Sequence, residues 1–130
     1  MKGSGNGLST LIRKLYFFCL PTSGMRGRYI KKHERLFHHI GERVMWQPRQ
    51  FPADPELISI GDNVKLAANV SFVNHDILYG LFNDKYGTHE FKKLQGCIYI
   101  GDNVMIGANT MILPNVRIGN NVVVGGEYCN

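Results

Sequence analysis

Ile100-Gly101-Asp102-Asn103-Val104-Met105, Ile106-Gly107-Ala108-Asn109-Thr110-Met111, Ile112-Leu113-Pro114-Asn115-Val116-Arg117 and Ile118-Gly119-Asn120-Asn121-Val122-Val123 are consecutive six-residue units of one pattern. Neither a helix, with its period of 3.6, nor a flat strand, with its period of 2, repeats at six with a turn signal in every unit. A short strand followed by a corner does. The first slot is a large aliphatic residue that points inward. The second is often Gly or Ala, where a neighbouring layer comes close. The fourth is Asn, which tolerates the left-handed backbone of a tight corner. The fifth is Val or Thr, inward again and suited to a strand.

Working outward, Leu94-Gln95-Gly96-Cys97-Ile98-Tyr99 joins the run in phase, and Val124-Gly125-Gly126-Glu127-Tyr128-Cys129 follows it. Further upstream the units are Ile60-Gly61-Asp62-Asn63-Val64-Lys65, Leu66-Ala67-Ala68-Asn69-Val70-Ser71 and Phe72-Val73-Asn74-His75-Asp76-Ile77. Ile40-Gly41-Glu42-Arg43-Val44-Met45 and Trp46-Gln47-Pro48-Arg49-Gln50-Phe51 keep the same period more loosely. Three such units close a triangular coil, and stacked coils bury one aliphatic column. The expected class is therefore mainly β: a parallel β-helix over 40–130, preceded by a helical region over 1–39. In that region Leu8, Leu11, Ile12, Leu15, Tyr16 and Cys19 recur at helical spacing, and a second helix is expected from about Arg26 to His38.

After Phe72 the period breaks. Phe72 to Leu94 is 22 residues, not a multiple of six, so a loop over 76–92 is expected to leave the prism. Loops this long in compact repeat proteins usually serve function. At its start His75 takes the slot that Asn63, Asn69, Asn103, Asn109, Asn115 and Asn121 hold elsewhere, and Asp76 takes an inward aliphatic slot where a carboxylate would be costly. Those departures mark the candidate site.

The run from Ile60 to Val124 resembles the hexapeptide-repeat transferase superfamily, and within it the sugar, antibiotic and capsular-polysaccharide O-acetyltransferases. The likeness covers roughly residues 26–125. It implies left-handed coils, against the usual right-handed crossover rule, and a homotrimer with each site between two subunits. The two N-terminal helices would cap the column and join that interface. Acetyl-CoA is implied as acyl donor, with no metal. His75 would be the general base, since imidazole both takes and returns a proton near neutral pH. Asn74 and Asp76 would support it, Asp76 or Glu90 orienting the ring, with Tyr79 and His89 of the loop near the acceptor. Gly107, Ala108, Gly125 and Gly126 would line the donor groove, where a backbone amide stabilises the developing oxyanion. Relatives continue through a further coil after Val124, whereas this chain reads Gly125-Gly126-Glu127-Tyr128-Cys129-Asn130, so a shortened C-terminus is expected. The alternative is a non-catalytic remnant that acts only in oligomer assembly. O-transfer and N-transfer both stay open.

Bulk properties set the frame. A chain of 130 residues suits one core. Three cysteines, Cys19, Cys97 and Cys129, without a CxxC pair fit a reducing, cytoplasmic setting. The apolar run at Leu15–Leu20 is too short to span a bilayer. His33, His38 and His39 cluster before the repeats, but the coils supply only His75, which argues against a metal centre. Residues 1–50 hold ten Lys/Arg against two Glu, while 51–130 carry a net deficit of three. That basic half admits contact with an anionic membrane surface or polymer, although a solvated helix face is the plainer reading. No nucleic-acid motif accompanies the charge.

Overall fold

The computed structural model describes residues 7–125. Two helices come first, α1 (Gly7–Cys19) and α2 (Ser23–Lys32), followed by ten short strands. The strands are β1 (His39–Ile40), β2 (Met45–Trp46), β3 (Ile58–Ile60), β4 (Val64–Leu66) and β5 (Ser71–Phe72). After a third helix, α3 (Leu78–Tyr86), come β6 (Ile98–Ile100), β7 (Val104–Ile106), β8 (Met111–Ile112), β9 (Arg117–Ile118) and β10 (Val122–Val124). All pair in parallel, in three sheets ordered β1-β3-β6-β9, β10-β7-β4-β2 and β5-β8. The short parallel strands expected of the repeats are thus present, gathered in these three sheets.

The register measures the coils. His39 lies beside Ser59, Tyr99 beside Arg117 and Val104 beside Val122, so a coil takes 20 residues at the first turn and 18 at the last. Between β3 and β6 the step is 40, Ile58 pairing with Ile98, because the loop is inserted there. Inward residues Ile58, Ile60, Val64, Leu66, Ile98, Ile100, Val104 and Ile106 are buried. Each such side chain removed from water contributes about 1.5–3 kcal/mol.

Two devices hold the coils in register. Asn63, Asn69, Asn103, Asn109, Asn115 and Asn121 all adopt positive φ, between 54° and 67°, and Arg43 does so at 56° in the first coil. The Asn amides then stack: Asn63 donates to Asn103 at 3.0 Å, Asn103 to Asn121 at 3.2 Å and Asn69 to Asn109 at 3.1 Å. Beside them, the Asp102 carboxylate accepts from the Asp62 amide and Asn120 Oδ1 from the Asp102 amide, each at 2.8 Å. The second slot is Gly because of this closeness. A Cβ on Gly61 would lie 2.7 Å from the carbonyl oxygen of Gly101 in the next coil.

The helices close the first coil. Phe17 of α1 and Ile30 of α2 are fully buried and share one core with Trp46, Phe37 and Phe51. Phe17 meets Phe51 edge-on at 5.4 Å, and Trp46 stacks on Phe72 at 5.6 Å. α2 differs from the expected span. It starts at Ser23, capped by Thr22 Oγ1 accepting from the Met25 amide, and ends at Lys32, before a 3-10 turn at Glu34–Leu36. It stops early because the backbone must already be extended at His38, whose amide donates to the Ile58 carbonyl.

Gly61→Ala is expected to cost about 2 kcal/mol, because backbone of the next coil must shift. Gly119→Ala, where a Cβ would meet nothing within 4 Å, should stay within about 0.5 kcal/mol. Urea denaturation followed by Trp46 fluorescence separates the two; equal midpoints would contradict the close-approach account.

Candidate active site

His75 follows β5 at the point where the chain leaves the prism. It is not left-handed, unlike the Asn residues of the same slot. The corner is not made here, since the backbone turns outward instead. His75 forms an isolated antiparallel bridge with Gln95. Asn74 bonds across the same neck: the Gly96 amide donates to the Asn74 carbonyl at 2.8 Å, and Asn74 Nδ2 donates to the Gly96 carbonyl at 2.9 Å. The excursion is thus longer than the expected 76–92. It runs to Gln95, and the prism resumes at Cys97, whose carbonyl accepts from the Asn115 amide. Leu94 accordingly is 49% exposed and not an inward residue.

The loop is itself folded. α3 ends at Gly87, left-handed at φ 59°, whose amide donates to the Asn83 carbonyl. The Asn83 side chain clasps the returning strand, accepting from the Phe91 amide and donating to its carbonyl, both at 3.0 Å. Phe82, Tyr86 and Phe91 pack together, with Phe82 and Phe91 5.2 Å apart.

The imidazole is oriented by a residue from the coil below. His75 Nδ1 lies 2.6 Å from Asp54 Oδ2, the His side chain 32% and the Asp side chain 17% exposed. Asp54 precedes the 3-10 turn at Pro55–Leu57 that leads into β3. An ionised carboxylate only accepts, so in a neutral ring bonded to one the proton lies on Nδ1 and the Nε2 lone pair is left for other work. The expected orienters do something else. Asp76 Oδ1 accepts from the Leu78 amide at 3.2 Å, at the start of α3. Glu90 is exposed, and its amide donates to Thr88 Oγ1. Asp54 lies outside every six-residue unit, which is why the period does not reveal it. The coil length does carry a signal: one turn of about 20 residues back from His75 falls at Asp54–Pro55.

The other expected residues are spread more widely. Asn74 is buried at 2% exposure, with Oδ1 lacking a hydrogen-bond partner. Tyr79 is half-buried on α3, and His89 is exposed on the loop. Gly107 is buried, its amide donating to the Val124 carbonyl and its carbonyl accepting from Thr110 Oγ1. That amide is engaged in coil stacking. Ala108 is half-buried and Gly125 exposed, while Gly126 lies outside the described residues. Among the described residues no three His, Cys, Asp or Glu converge on a metal-sized site. His33 packs against Tyr29, ring centroids 4.3 Å apart and tilted by 40°; burial first, then Arg13, Lys32 and Arg35, hold it below the ordinary imidazole range. A groove of about 310 Å³ lies between α1, Arg49–Ala53 and Val70–Phe72, and neither His75 nor Asp54 lines it.

Residues 97–127 match the family model described as bacterial transferase hexapeptide (six repeats), and residues 58–71 match hexapeptide repeat of succinyl-transferase. A Bacillus subtilis (strain 168) protein named as an acetyltransferase, YvoF, is 43% identical over 70 residues, 54% of this chain and 34% of that protein. Protein CapG of Staphylococcus aureus is 46% identical over 94 residues, 59% of this chain and 52% of the relative. The match thus spans about a third of one relative and half of the other. No solved structure matches the chain.

Asn74→Ala should loosen the neck at a cost of about 1–2 kcal/mol. Hydrogen exchange at the Gly96 amide and proteolysis within 77–92 should both quicken. Unchanged exchange at Gly96 would contradict the role of Asn74 as the clasp.

Proposed function

We propose that this chain, which belongs to the hexapeptide-repeat transferase superfamily, moves an acetyl group from acetyl-CoA to a hydroxyl of a sugar or polysaccharide, with His75 as general base. The observation that carries the reading is the Asp54–His75 pair at the neck of a loop that interrupts the hexapeptide coils. Left-handed coils and a reducing, cytoplasmic setting belong to the same proposal.

Asp54 holds the Nδ1–H, and Nε2 takes the proton of the acceptor hydroxyl as its oxygen attacks the thioester carbonyl. The tetrahedral oxyanion collapses, the carbon–sulfur bond breaks, and the departing thiolate recovers the proton from His75. The products are an O-acetyl ester and CoA. Asp54 acts here as a positioning residue, by fixing tautomer and ring orientation. Asn74, whose side-chain Nδ2 donates to the Gly96 carbonyl, supports His75 by fixing the neck from which the ring projects. Ala108 and Gly125 fit the wall of a donor groove by their small size.

A homotrimer completes the proposal. On the β10-β7-β4-β2 face, Met45, Lys65, Met105 and Val123 stand in register, and the three apolar ones are exposed. Flat faces of this kind pack side by side and bury apolar area at about 25 cal/mol per Å².

The test is acetyl transfer from acetyl-CoA to a panel of sugars. His75→Ala is expected to lower kcat by about 10²–10⁴-fold. Asp54→Asn should lower kcat by about tenfold or more with little change in acceptor KM, and Asp54→Glu should recover part of the loss. Equal rates for wild type and His75→Ala would overturn the catalytic reading. Absence of heat on titrating CoA into wild type would favour a scaffold without a donor site.

A further inference from the structure

The helix α1 carries its apolar stripe on the wrong side for a helix that only packs on a core. Its one buried side chain is Phe17. Leu8, Leu11, Ile12, Leu15, Tyr16 and Phe18 are between 52% and 69% exposed. At 100° per residue these six cover an arc of about 160° centred opposite Phe17. Arg13 and Lys14 fall on either flank, between the apolar arc and the docked side. An exposed apolar patch on one element of a folded protein marks an interaction surface.

Charge selects the partner. Neither α1 nor α2 contains an acidic residue. Of their cations, Arg26 is buried on the Leu20 carbonyl and Lys31 is paired with Glu34 and Glu42, which leaves Arg13, Lys14, Arg28 and Lys32 for a partner. Two copies meeting through α1 would set like charges against one another. An anionic bilayer satisfies both features: acyl chains receive the stripe, and headgroup phosphates meet the flanking cations. The helix has 13 residues, well short of a bilayer span, and none among the described residues is long and apolar enough to cross a membrane. We propose that α1 docks the protein on an anionic phospholipid surface, lying in the interfacial plane with Leu11 and Leu15 inward and Arg13 and Lys14 at headgroup level. The proposal does not depend on acyl transfer.

The test is flotation of the full chain with vesicles of phosphatidylcholine, with and without about one-third phosphatidylglycerol. Binding is expected to be about tenfold or more tighter to the anionic vesicles and to weaken with salt. Leu11→Glu with Leu15→Glu, and separately Arg13→Glu with Lys14→Glu, should each remove most of it while circular dichroism stays unchanged. A second measurement needs no surface disruption. An environment-sensitive fluorophore on the exposed Cys19, with Cys97 and Cys129 changed to Ser, should shift to the blue on anionic vesicles. No flotation and no shift would overturn the proposal. So would equal binding to neutral vesicles that both double variants leave intact. A fall in oligomeric mass of Leu11→Glu/Leu15→Glu on sedimentation, with wild type ignoring vesicles, would assign the stripe to a second copy instead.

Discussion

Each coil rests on the one beneath it through backbone brought so close at Gly61 and Gly101 that a side chain there would clash, and through left-handed Asn residues in the fourth slot. The left-handed Asn residues turn the chain, and their amides then bond to those of the next coil. A parallel sheet of two- and three-residue strands has too few ladder bonds per strand to hold register alone. The corner ladders and the Ile, Leu and Val column supply the rest. Because every coil copies the path of its neighbour, an irregularity in one is placed accurately against the regular path of the other.

The site follows from that constraint. The chain makes its long excursion between Asn74 and Gly96, and hydrogen bonds between those two residues join the ends of the loop. His75 stands on the departing strand directly over the turn of the previous coil, where Asp54 waits at 2.6 Å. A carboxylate and an imidazole 21 residues apart are thus set in fixed geometry by coil register.

Much of this was legible in the chain itself. The six-residue phase located the coils, the six left-handed Asn corners, and the place where the long loop leaves them. What escaped it has physical reasons. The loop's return was placed too early because Leu94 matches the repeat in residue type, yet hydrogen bonds at Gln95 and Gly96 fix the true neck. Asp54 lies in the irregular stretch Phe51-Pro52-Ala53-Asp54-Pro55, and only the length of a whole coil brings it under His75. Helical periodicity in α1 revealed a stripe but not its direction. The single Phe17 outweighed six apolar neighbours, because Trp46, Phe51 and Tyr29 offer it a ring-lined socket.

The central claim is that the coil below holds the His75 ring in one tautomer, with Nε2 unprotonated and open. Nitrogen-15 NMR of the histidine side chains tests it most directly. At a pH where the ring is neutral, His75 should show a protonated Nδ1 and a bare Nε2, and Asp54→Ala should abolish that preference. A His75 ring carrying its proton on Nε2 in the wild-type protein would contradict the account.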